Sequence, residues 1–381
     1  MRFLHTSDLH IGKVVNGFSM LEEQKYVLRQ ITEIAQTRRV DAVFLSGDLY
    51  DRSVPSAQAV SVLDEFLTGL IDAGIPVFAI AGNHDCGERI GFANRILEKR
   101  GLYIEGTLKD PVAYVDMESG GEPVRIHMIP YAKPVEVRAF YQCEAVTYED
   151  AMQELLKHIA YRSGGANILL THQFVVDHGK EPELSDSETR VSVGGADQVE
   201  AANFKAFTYT ALGHIHGCQQ IGDPSVCYSG SPIKYSFSEV QHQKGVILGE
   251  VQAGKLHWET IALYPLHDMR KIRGKLADLI CEQVVDAADA EDYLLAVLTN
   301  EEELIDPIGT LRSVYPNVMQ LQLERSIREE QNVRQYVNEL KEKTPNELFE
   351  DFYLHVMGKE LSEEQRAVAV EAIEEAKEEM R

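Results

Sequence analysis

The sequence has 381 residues, of which 44% are hydrophobic and 26% are charged, a composition typical of a globular protein with a buried core. It contains no apolar run of the ~18 residues that a membrane helix needs. Its five cysteines include no C-x-x-C pair, which argues against a disulfide framework or a zinc finger and favours a reducing cytoplasm. The formal net charge of −24, taken alone, argues against a nucleic-acid-binding protein, because neutralising phosphates requires a basic surface.

The first 264 residues show apolar runs that are each followed by a polar turn. A helix-period stretch at 60–70 lies between two of the early runs. Strands that alternate with helices, and later follow one another more closely, predict a layered α/β sandwich. The apolar runs are at 3–4, 40–45, 75–80, 168–170, 207–212 and 246–248.

A second module is expected beyond Pro265. Strand patterns at 269–276, 293–299 and 318–323, with a helix that starts near Pro307, predict a small α/β unit. Thr344, followed by Pro345 and by Glu347 at the third helical position, predicts a capped helix that Gly358 ends, and a second helix follows. We therefore expect a first domain at 1–265, a small second domain at 266–328, and a linker with C-terminal helices at 329–381. The aromatic face of these helices packs either on the chain's own body or on another chain.

Much of the negative charge lies beyond residue 280. Residues 281–310 contain nine acidic side chains and no Lys or Arg, and residues 344–381 carry a net charge of −7, whereas residues 1–270 carry −11. Acidic runs are typical of solvated surfaces. The alternative is a surface that docks a basic partner.

Five polar turns carry side chains that can bind metal ions. Because the ends of neighbouring strands lie side by side, turns that are distant in sequence can converge in space. Carboxylates, imidazoles and an amide oxygen without thiolates suit Mn²⁺, Fe²⁺ or Zn²⁺, and hard oxygen ligands favour Mn²⁺. The turns are Asp8-Leu9-His10, Gly47-Asp48, Gly82-Asn83-His84-Asp85, Thr171-His172 and Gly213-His214-Ile215-His216.

Seven ligands are too many for one ion that keeps an open coordination position. They suit two divalent ions that share a carboxylate and activate a water for in-line attack on a phosphorus atom. The pattern therefore predicts phosphoester hydrolysis.

In this order, the D-x-H, G-D, G-N-H-D, His and G-H-x-H motifs resemble those of the calcineurin-like metallophosphoesterase superfamily. Further segments resemble the bacterial Mre-type recombination nucleases: TSDLHIG at 6–12, GDLYD at 47–51, SDSE at 185–188, YSGSP at 228–232 and TPNELF at 344–349. The resemblance implies a β-sandwich flanked by helices, a small α/β capping domain and a C-terminal helical hairpin. It is strongest over residues 1–240 and loosest over 265–340.

The resemblance also implies a role for each site residue. One metal ion would be held by Asp8, His10 and His216, the other by Asn83, His172 and His214, and Asp48 would bridge them. His84 matches the family's catalytic histidine, which contacts the scissile phosphate, and Asp85 is expected to orient its imidazole. Archaeal relatives have a second phosphate-contacting histidine where this chain has Asp51, so no second catalytic histidine is expected.

The activity implied is that of a Mn²⁺-dependent DNA nuclease for repair, recombination and replication. It would combine 3′→5′ exonuclease action on duplex ends with endonuclease action on hairpins and single strands. It would work in the cytoplasm, at the nucleoid, in a complex with two copies of an ATPase. In relatives, helices at the positions of 56–70 and 90–97 pair across a two-fold axis, which implies a homodimer; the alternative is that these helices only pack on the sheet. One alternative is the same chemistry on a nucleotide or another small phosphoester. Another is a non-enzymatic scaffold, but the presence of all seven ligands argues against it.

Overall fold

The computed structural model describes residues 1–188, 197–325 and 343–379. Residues 329–342 of the segment that was predicted to contain the linker and the C-terminal helices therefore lie outside the described residues. The strands are β1 (Arg2–Thr6), β2 (Val14–Val15), β3 (Phe18–Ser19), β4 (Ala42–Leu45), β5 (Val77–Ile80), β6 (Leu102–Glu105), β7 (Ala113–Ser119), β8 (Glu122–Ile129), β9 (Ala166–His172), β10 (Phe174–Val176), β11 (Gln198–Glu200), β12 (Tyr209–Gly213), β13 (Gln219–Gln220), β14 (Val226–Tyr228), β15 (Gly245–Gln252), β16 (Lys255–Ala262), β17 (Met269–Gly274), β18 (Tyr293–Leu298) and β19 (Val318–Leu323).

Helices lie between these strands and at the C-terminal end. Single 3₁₀ turns occur at Glu98–Arg100, Ala201–Phe204 and Phe237–Glu239. No helix among the described residues is both long enough and apolar enough to span a membrane. The α-helices are α1 (Leu21–Thr37), α2 (Ala57–Asp72), α3 (Gly87–Ile90), α4 (Asn94–Leu97), α5 (Pro134–Tyr141), α6 (Tyr148–Lys157), α7 (Leu276–Leu279), α8 (Glu282–Val285), α9 (Pro307–Arg312), α10 (Pro345–Met357) and α11 (Glu363–Glu379).

Two six-stranded mixed sheets form the large unit. The strand order is β16-β15-β1-β4-β5-β6 in the first sheet and β13-β14-β12-β9-β8-β7 in the second. In the first sheet β1, β4, β5 and β6 run parallel, and in the second β8, β9, β12 and β14 run parallel. The carboxyl ends of the parallel strands in each sheet therefore meet at one edge.

Side chains alternate between two cores along the central strands, as the pleat of a strand requires. Phe3, Phe44 and Phe78 point into the core between the sheets, where the Phe3 ring lies 4.8 Å from Phe44 and 4.9 Å from Tyr209 of the other sheet. Their neighbours, such as Leu4, face the core beneath α1 and α2. The sandwich flanked by helices that was expected from the sequence is confirmed.

The chain divides into two compact units. The large unit comprises Met1–Lys271, Ala288–Leu295 and Tyr315–Gln320, and the second comprises the described parts of Ile272–Ala287, Ala296–Val314 and Leu321–Arg381. Strands β17, β18 and β19 form a three-stranded sheet in that order. The domain boundaries expected at 265 and 328 stay a prediction.

Helix α10, the first of the C-terminal hairpin, begins and ends where its capping residues predict. The Thr344 hydroxyl accepts from the Glu347 amide (3.3 Å) and the Glu347 carboxylate accepts from the Thr344 amide (2.6 Å), so α10 begins in a capping box. Gly358 ends it in the left-handed conformation. Two aromatic side chains of α10 remain exposed, Phe349 by 38% and Phe352 by 62%.

Candidate metal centre

The predicted ligands lie at the carboxyl ends of parallel strands in both sheets. In the first sheet, Asp8, Asp48 and Asn83 follow the neighbouring strands β1, β4 and β5. In the second, His172 ends β9 and His214 follows the adjacent strand β12. The structure therefore brings residues from five turns to one site, as the order of the motifs predicts.

A first group is formed by Asp8, His10 and His216. One potential ligand atom of each side chain lies within 4.8 Å of those of the other two, and Nε2 of His10 is 3.2 Å from Nε2 of His216. All three residues are buried, with at most 2% of their surface exposed. This group has the composition and spacing to hold one cation.

A second group surrounds the amide oxygen of Asn83. Oδ1 of Asn83 lies 3.0 Å from Nε2 of His172 and 3.0 Å from Nδ1 of His214. Between the groups, Oδ2 of Asp48 is 3.6 Å from Nε2 of His10 and 3.5 Å from Nε2 of His172. The carboxylate of Asp48 is thus placed to be shared, although the role of each of the seven side chains as a ligand stays a prediction.

The backbone at this site is strained where the ligands project. Asp8 (φ 54°), His10 (φ 42°), Asp48 (φ 51°) and His214 (φ 109°) all have positive φ angles, which cost a non-glycine residue on the order of 1–3 kcal/mol. The amide of His214 donates to both carboxylate oxygens of Asp8, at 3.0 and 3.2 Å. Such strain persists where the surrounding structure enforces it, and it is typical of functional sites.

Burial sets the charge state of this cluster. Burial raises the pKa of Asp8 and lowers the pKa of His10. It also lowers the pKa of His214 to about 3. These two imidazoles are therefore neutral near pH 7, with a lone pair available for a metal ion.

Asp48 and His172 form a charged pair in the same cluster. Burial acts to raise the pKa of Asp48, but the charge of His172 and a hydrogen bond from it prevail and lower the pKa. Burial conversely acts to lower the pKa of His172, and the Asp48 charge outweighs it and raises the pKa to about 9. The positive charge of His172 thus compensates part of the negative charge of the buried carboxylates.

The donor set fits divalent cations. It offers imidazole nitrogens, two buried carboxylates and one amide oxygen, without a thiolate, which is the set that Mn²⁺, Fe²⁺ or Zn²⁺ takes. Cations would neutralise carboxylates that are otherwise buried at a cost.

His84 lies beside the cluster and is only half buried. Its backbone amide donates to Oδ1 of Asp48 (2.8 Å), and its ring meets that of His10 edge-on, with centroids 4.7 Å apart. Nδ1 of His84 is 2.9 Å from the carbonyl oxygen of Asp51. Because a carbonyl can only accept, this contact places the ring proton on Nδ1 and leaves Nε2 free.

Asp85 has a different position from the one expected. Its carboxylate accepts from the backbone amides of Leu49 (3.0 Å), Tyr50 (3.0 Å) and Gly82 (2.9 Å). Burial, with the Asp48 charge, raises its pKa to about 6. Asp85 therefore ties the G-D turn to the G-N-H-D turn, and the partner of the His84 imidazole is instead the carbonyl of Asp51.

Sequence reasoning assigned no role to Asp51 or to a network behind His216. The Asp51 carboxylate lies 2.8 Å from Nζ of Lys13 and 3.7 Å from Nδ1 of His10. Nδ1 of His216 lies 2.8 Å from the hydroxyl of Ser187. The GDLYD and SDSE segments were the available signals, but the contacts themselves depend on packing between distant segments.

His178 was left without a role by the sequence. Its side chain is 87% exposed, and Nε2 lies 3.9 Å from a carboxylate oxygen of Asp177. The structure therefore places it at the surface as half of an exposed pair, which contributes little to stability.

Comparisons with known proteins agree with this geometry. Residues 1–218 match the model of the calcineurin-like phosphoesterases, and residues 265–356 match that of the type 5 capsule protein repressor C-terminal domain. The SbcD subunit of the SbcCD nuclease of Staphylococcus epidermidis is 33% identical over 373 residues, which cover 96% of each chain.

Solved structures with lower similarity include a dimetal phosphatase from Danio rerio, with 11% identity and a TM-score of 0.43 over 70% of this chain and 98% of that one. A hypothetical protein from Thermus thermophilus has 13% identity and a TM-score of 0.39 over 70% and 99% of the two chains. Similarities of this size support no conclusion about function. The family is shown by the match over residues 1–218 and by the 33% identity over 96% of the chain. The chain belongs to the calcineurin-like phosphoesterases, in the family of the SbcD nuclease subunits.

Proposed function

We propose that the chain is a Mn²⁺-dependent DNA nuclease subunit that acts with the ATPase SbcC. The observation that supports this most is the convergence of ligand-type side chains from five strand ends beside a half-buried histidine. Membership of the phosphoesterase family makes the chain a metal-dependent phosphodiester hydrolase. The relative that is 33% identical is named as a nuclease.

In this proposal Asp8, His10 and His216 hold one divalent ion, and Asp48 is shared with a second. The remaining ligands of the second ion are Asn83, His172 and His214. When bound, such ions neutralise the charge of a phosphodiester and lower the pKa of a water. Nitrogen ligands beside carboxylates leave Mn²⁺, Fe²⁺ and Zn²⁺ as candidates, and the oxygen donors favour Mn²⁺.

The chain's own groups then position the substrate and move the proton. Nδ1 of His84 donates to the carbonyl of Asp51, so in the imidazolium form, with a proton on each nitrogen, Nε2 can contact the scissile phosphate and hand its proton to the leaving oxygen. The amide of His84 also donates to Asp48, which couples the ring position to the shared carboxylate. Asp85 contributes by holding the two turns together rather than by touching the imidazole.

The proposed reactions are 3′→5′ exonuclease action on duplex ends and endonuclease action on hairpins and single strands, in repair, recombination and replication at the nucleoid. A chain with a net charge of −24 has little electrostatic attraction for DNA of its own. We therefore assign DNA delivery and ATP-driven gating to the partner, with two copies of each subunit in the complex.

The surface proposed for homodimerisation is apolar in the structure. A groove of about 570 Å³ is lined by Leu63 and Leu67 of α2 and by Ile90 and Phe92. Phe92 is 81% exposed and Ile96 is 69% exposed, and clustered exposed apolar side chains mark interaction surfaces. Light scattering at micromolar concentration should give the mass of a dimer, and a monomeric mass would count against this surface.

The C-terminal hairpin is the proposed docking element for SbcC. Phe352, Val356 and Met357 of α10 are 62%, 59% and 54% exposed, and they belong to a segment, 344–381, with a net charge of −7. The assignment of 266–328 to capping and of 329–381 to docking is part of the same proposal.

The experiment is cleavage of a hairpin-ended duplex with Mn²⁺, with and without SbcC. Wild type should cleave, and His84→Gln should cleave about 10²- to 10⁴-fold more slowly. The absence of cleavage by wild type, or full cleavage by His84→Gln, would contradict the proposed mechanism. Robust turnover of bis-p-nitrophenyl phosphate without any DNA cleavage would favour a phosphodiesterase of small phosphoesters instead.

A further inference from the structure

His216 is held at three points by polar groups, of which Lys244 is buried and Ser187 and Glu188 are half-buried. Its backbone amide donates to Oε1 of Glu188 (2.6 Å), and its carbonyl accepts from Nζ of Lys244 (2.8 Å). Its ring nitrogen Nδ1 lies 2.8 Å from the hydroxyl of Ser187. The other ring nitrogen, Nε2, lies 3.2 Å from Nε2 of His10, so it is the atom that faces the candidate metal centre.

Behind Ser187 lies a buried ion pair. Glu239 has no exposed surface, and Lys244 is 7% exposed. Oε2 of Glu239 contacts Nζ of Lys244, and Oε1 accepts from the Ser187 hydroxyl. Because desolvation offsets most of the attraction in a buried ion pair, such a pair is weak evidence for a stabilising role. Its contact with a predicted ligand indicates a role at the site.

The chemistry of these groups determines where the protons lie. The Glu239 carboxylate, beside the ammonium of Lys244, only accepts hydrogen bonds. Oγ of Ser187 contacts Oε1 of Glu239 and lies 2.6 Å from Oγ of Ser185. Its single proton therefore points to one of these two oxygens, and its own oxygen can only accept from the His216 ring. The proton of a neutral His216 must then be on Nδ1, which leaves a lone pair on Nε2.

We propose that Ser187 and Glu239, with Lys244 as counter-charge, are positioning residues that fix His216 in the tautomer that can bind a metal ion. The inference rests on the proposed role of His216 as a ligand. A carboxylate that accepts from the second nitrogen of a metal-binding histidine orients the ring and raises the basicity of the ligand nitrogen. Here the serine hydroxyl transmits that effect over one additional hydrogen bond.

Loss of the Ser187 hydroxyl should therefore let the His216 ring rotate without unfolding the protein. In Ser187→Ala, Nδ1 loses the acceptor at 2.8 Å and keeps only Oε1 of Glu239 at 3.5 Å. The imidazole can then rotate and carry its proton on Nε2, which in that form cannot bind a metal ion. Ser187→Thr restores a hydroxyl at the same position. Ser238→Ala is the matched control, because the Ser238 hydroxyl accepts from the Asp186 amide of the same loop (2.9 Å) and lies outside the proposed relay.

The first measurement is ¹⁵N NMR of the metal-free protein with labelled histidine, in which His216→Gln identifies the His216 signals. The second is calorimetric titration with Mn²⁺ in the absence of DNA. Wild type, Ser187→Thr and Ser238→Ala should show the Nδ1-protonated tautomer. Ser187→Ala should show a mixture of tautomers and about 10- to 100-fold weaker binding of one Mn²⁺ ion.

A wild-type His216 that carries its proton on Nε2 would overturn the inference without any variant. So would a Ser187→Ala protein with the wild-type tautomer and Mn²⁺ affinity, and in that case the proposed nuclease function would stand. A wild-type protein that binds no Mn²⁺ would instead contradict the proposed function. The tautomer of His216, which is measured without metal, would still test the roles of Ser187 and Glu239.

Discussion

A methyl group added at Gly82 should disable the metal centre without a change in any ligand. A Cβ atom built on Gly82 would lie 2.1 Å from Oδ1 and 2.3 Å from the backbone nitrogen of Asp48. Ordinary contacts are roughly 3.5 Å or longer, so the Asp48 carboxylate would have to move by on the order of 1 Å. Because Asp48 is the proposed shared ligand, both ions should be affected.

The expected size of the effect follows from that displacement. A 1 Å misplacement of a reacting or positioning group costs about 10²-fold in rate, and overpacking of a dense site costs roughly 1–3 kcal/mol of stability. We expect Gly82→Ala to lower kcat for hairpin cleavage by about 100-fold or more. It should also weaken Mn²⁺ binding, measured by calorimetry.

Gly69→Ala is the matched control. Gly69 lies inside α2, where an added Cβ would meet only Cγ2 of Thr32 at 3.9 Å. This change should stabilise the protein by about 0.5–1 kcal/mol, since alanine is preferred to glycine in a helix interior, and it should leave activity unchanged. A Gly82→Ala protein with wild-type Mn²⁺ stoichiometry and with kcat within a few-fold of wild type would refute the reasoning.

Further changes separate chemistry, metal binding and folding. His84→Gln should still bind Mn²⁺ in calorimetry but cleave DNA about 10²- to 10⁴-fold more slowly, because a proton-transfer group is lost. At one hundred times the dissociation constant of each site, Mn²⁺ should raise the free energy of unfolding of wild type by about 2.7 kcal/mol for each ion bound. In urea titrations Asp48→Asn should show much less of this gain. His5 is fully buried and burial lowers its pKa to about 3, so at pH 5 the unfolded chain binds a proton that the folded chain does not. In EDTA, the free energy of unfolding should therefore fall between pH 7.5 and 5.0 by about 2 kcal/mol more in wild type than in His5→Gln, whose residue 5 cannot be protonated. Equal losses in the two proteins would contradict this.

The strand ends and their ligands could be predicted because two simple regularities apply. Buried strands read as short apolar runs, and parallel strands end at a common edge, so Asp8, Asp48 and Asn83 had to approach one another once β1, β4 and β5 were neighbours. The start of α10 could be predicted for a local reason, since Thr344 and Glu347 satisfy each other's amides.

The groups around the ligands could not be predicted, because their contacts depend on tertiary packing. The partner of the His84 ring is the Asp51 carbonyl, a backbone atom that every residue type possesses. The carboxylate of Glu239 meets Ser187, 52 positions earlier in the chain, and no local pattern indicates such a contact. Asp85 follows His84 directly, yet its carboxylate points to the amides of another turn.

The central claim is that one buried site holds two ions around Asp48. Anomalous diffraction from Mn²⁺-soaked crystals, collected at the manganese edge, tests it most directly. The account predicts two peaks about 3.5–4 Å apart, one beside His10 and His216 and the other beside Asn83 and His172, with Asp48 between them. A single peak, or peaks away from these side chains, would contradict it.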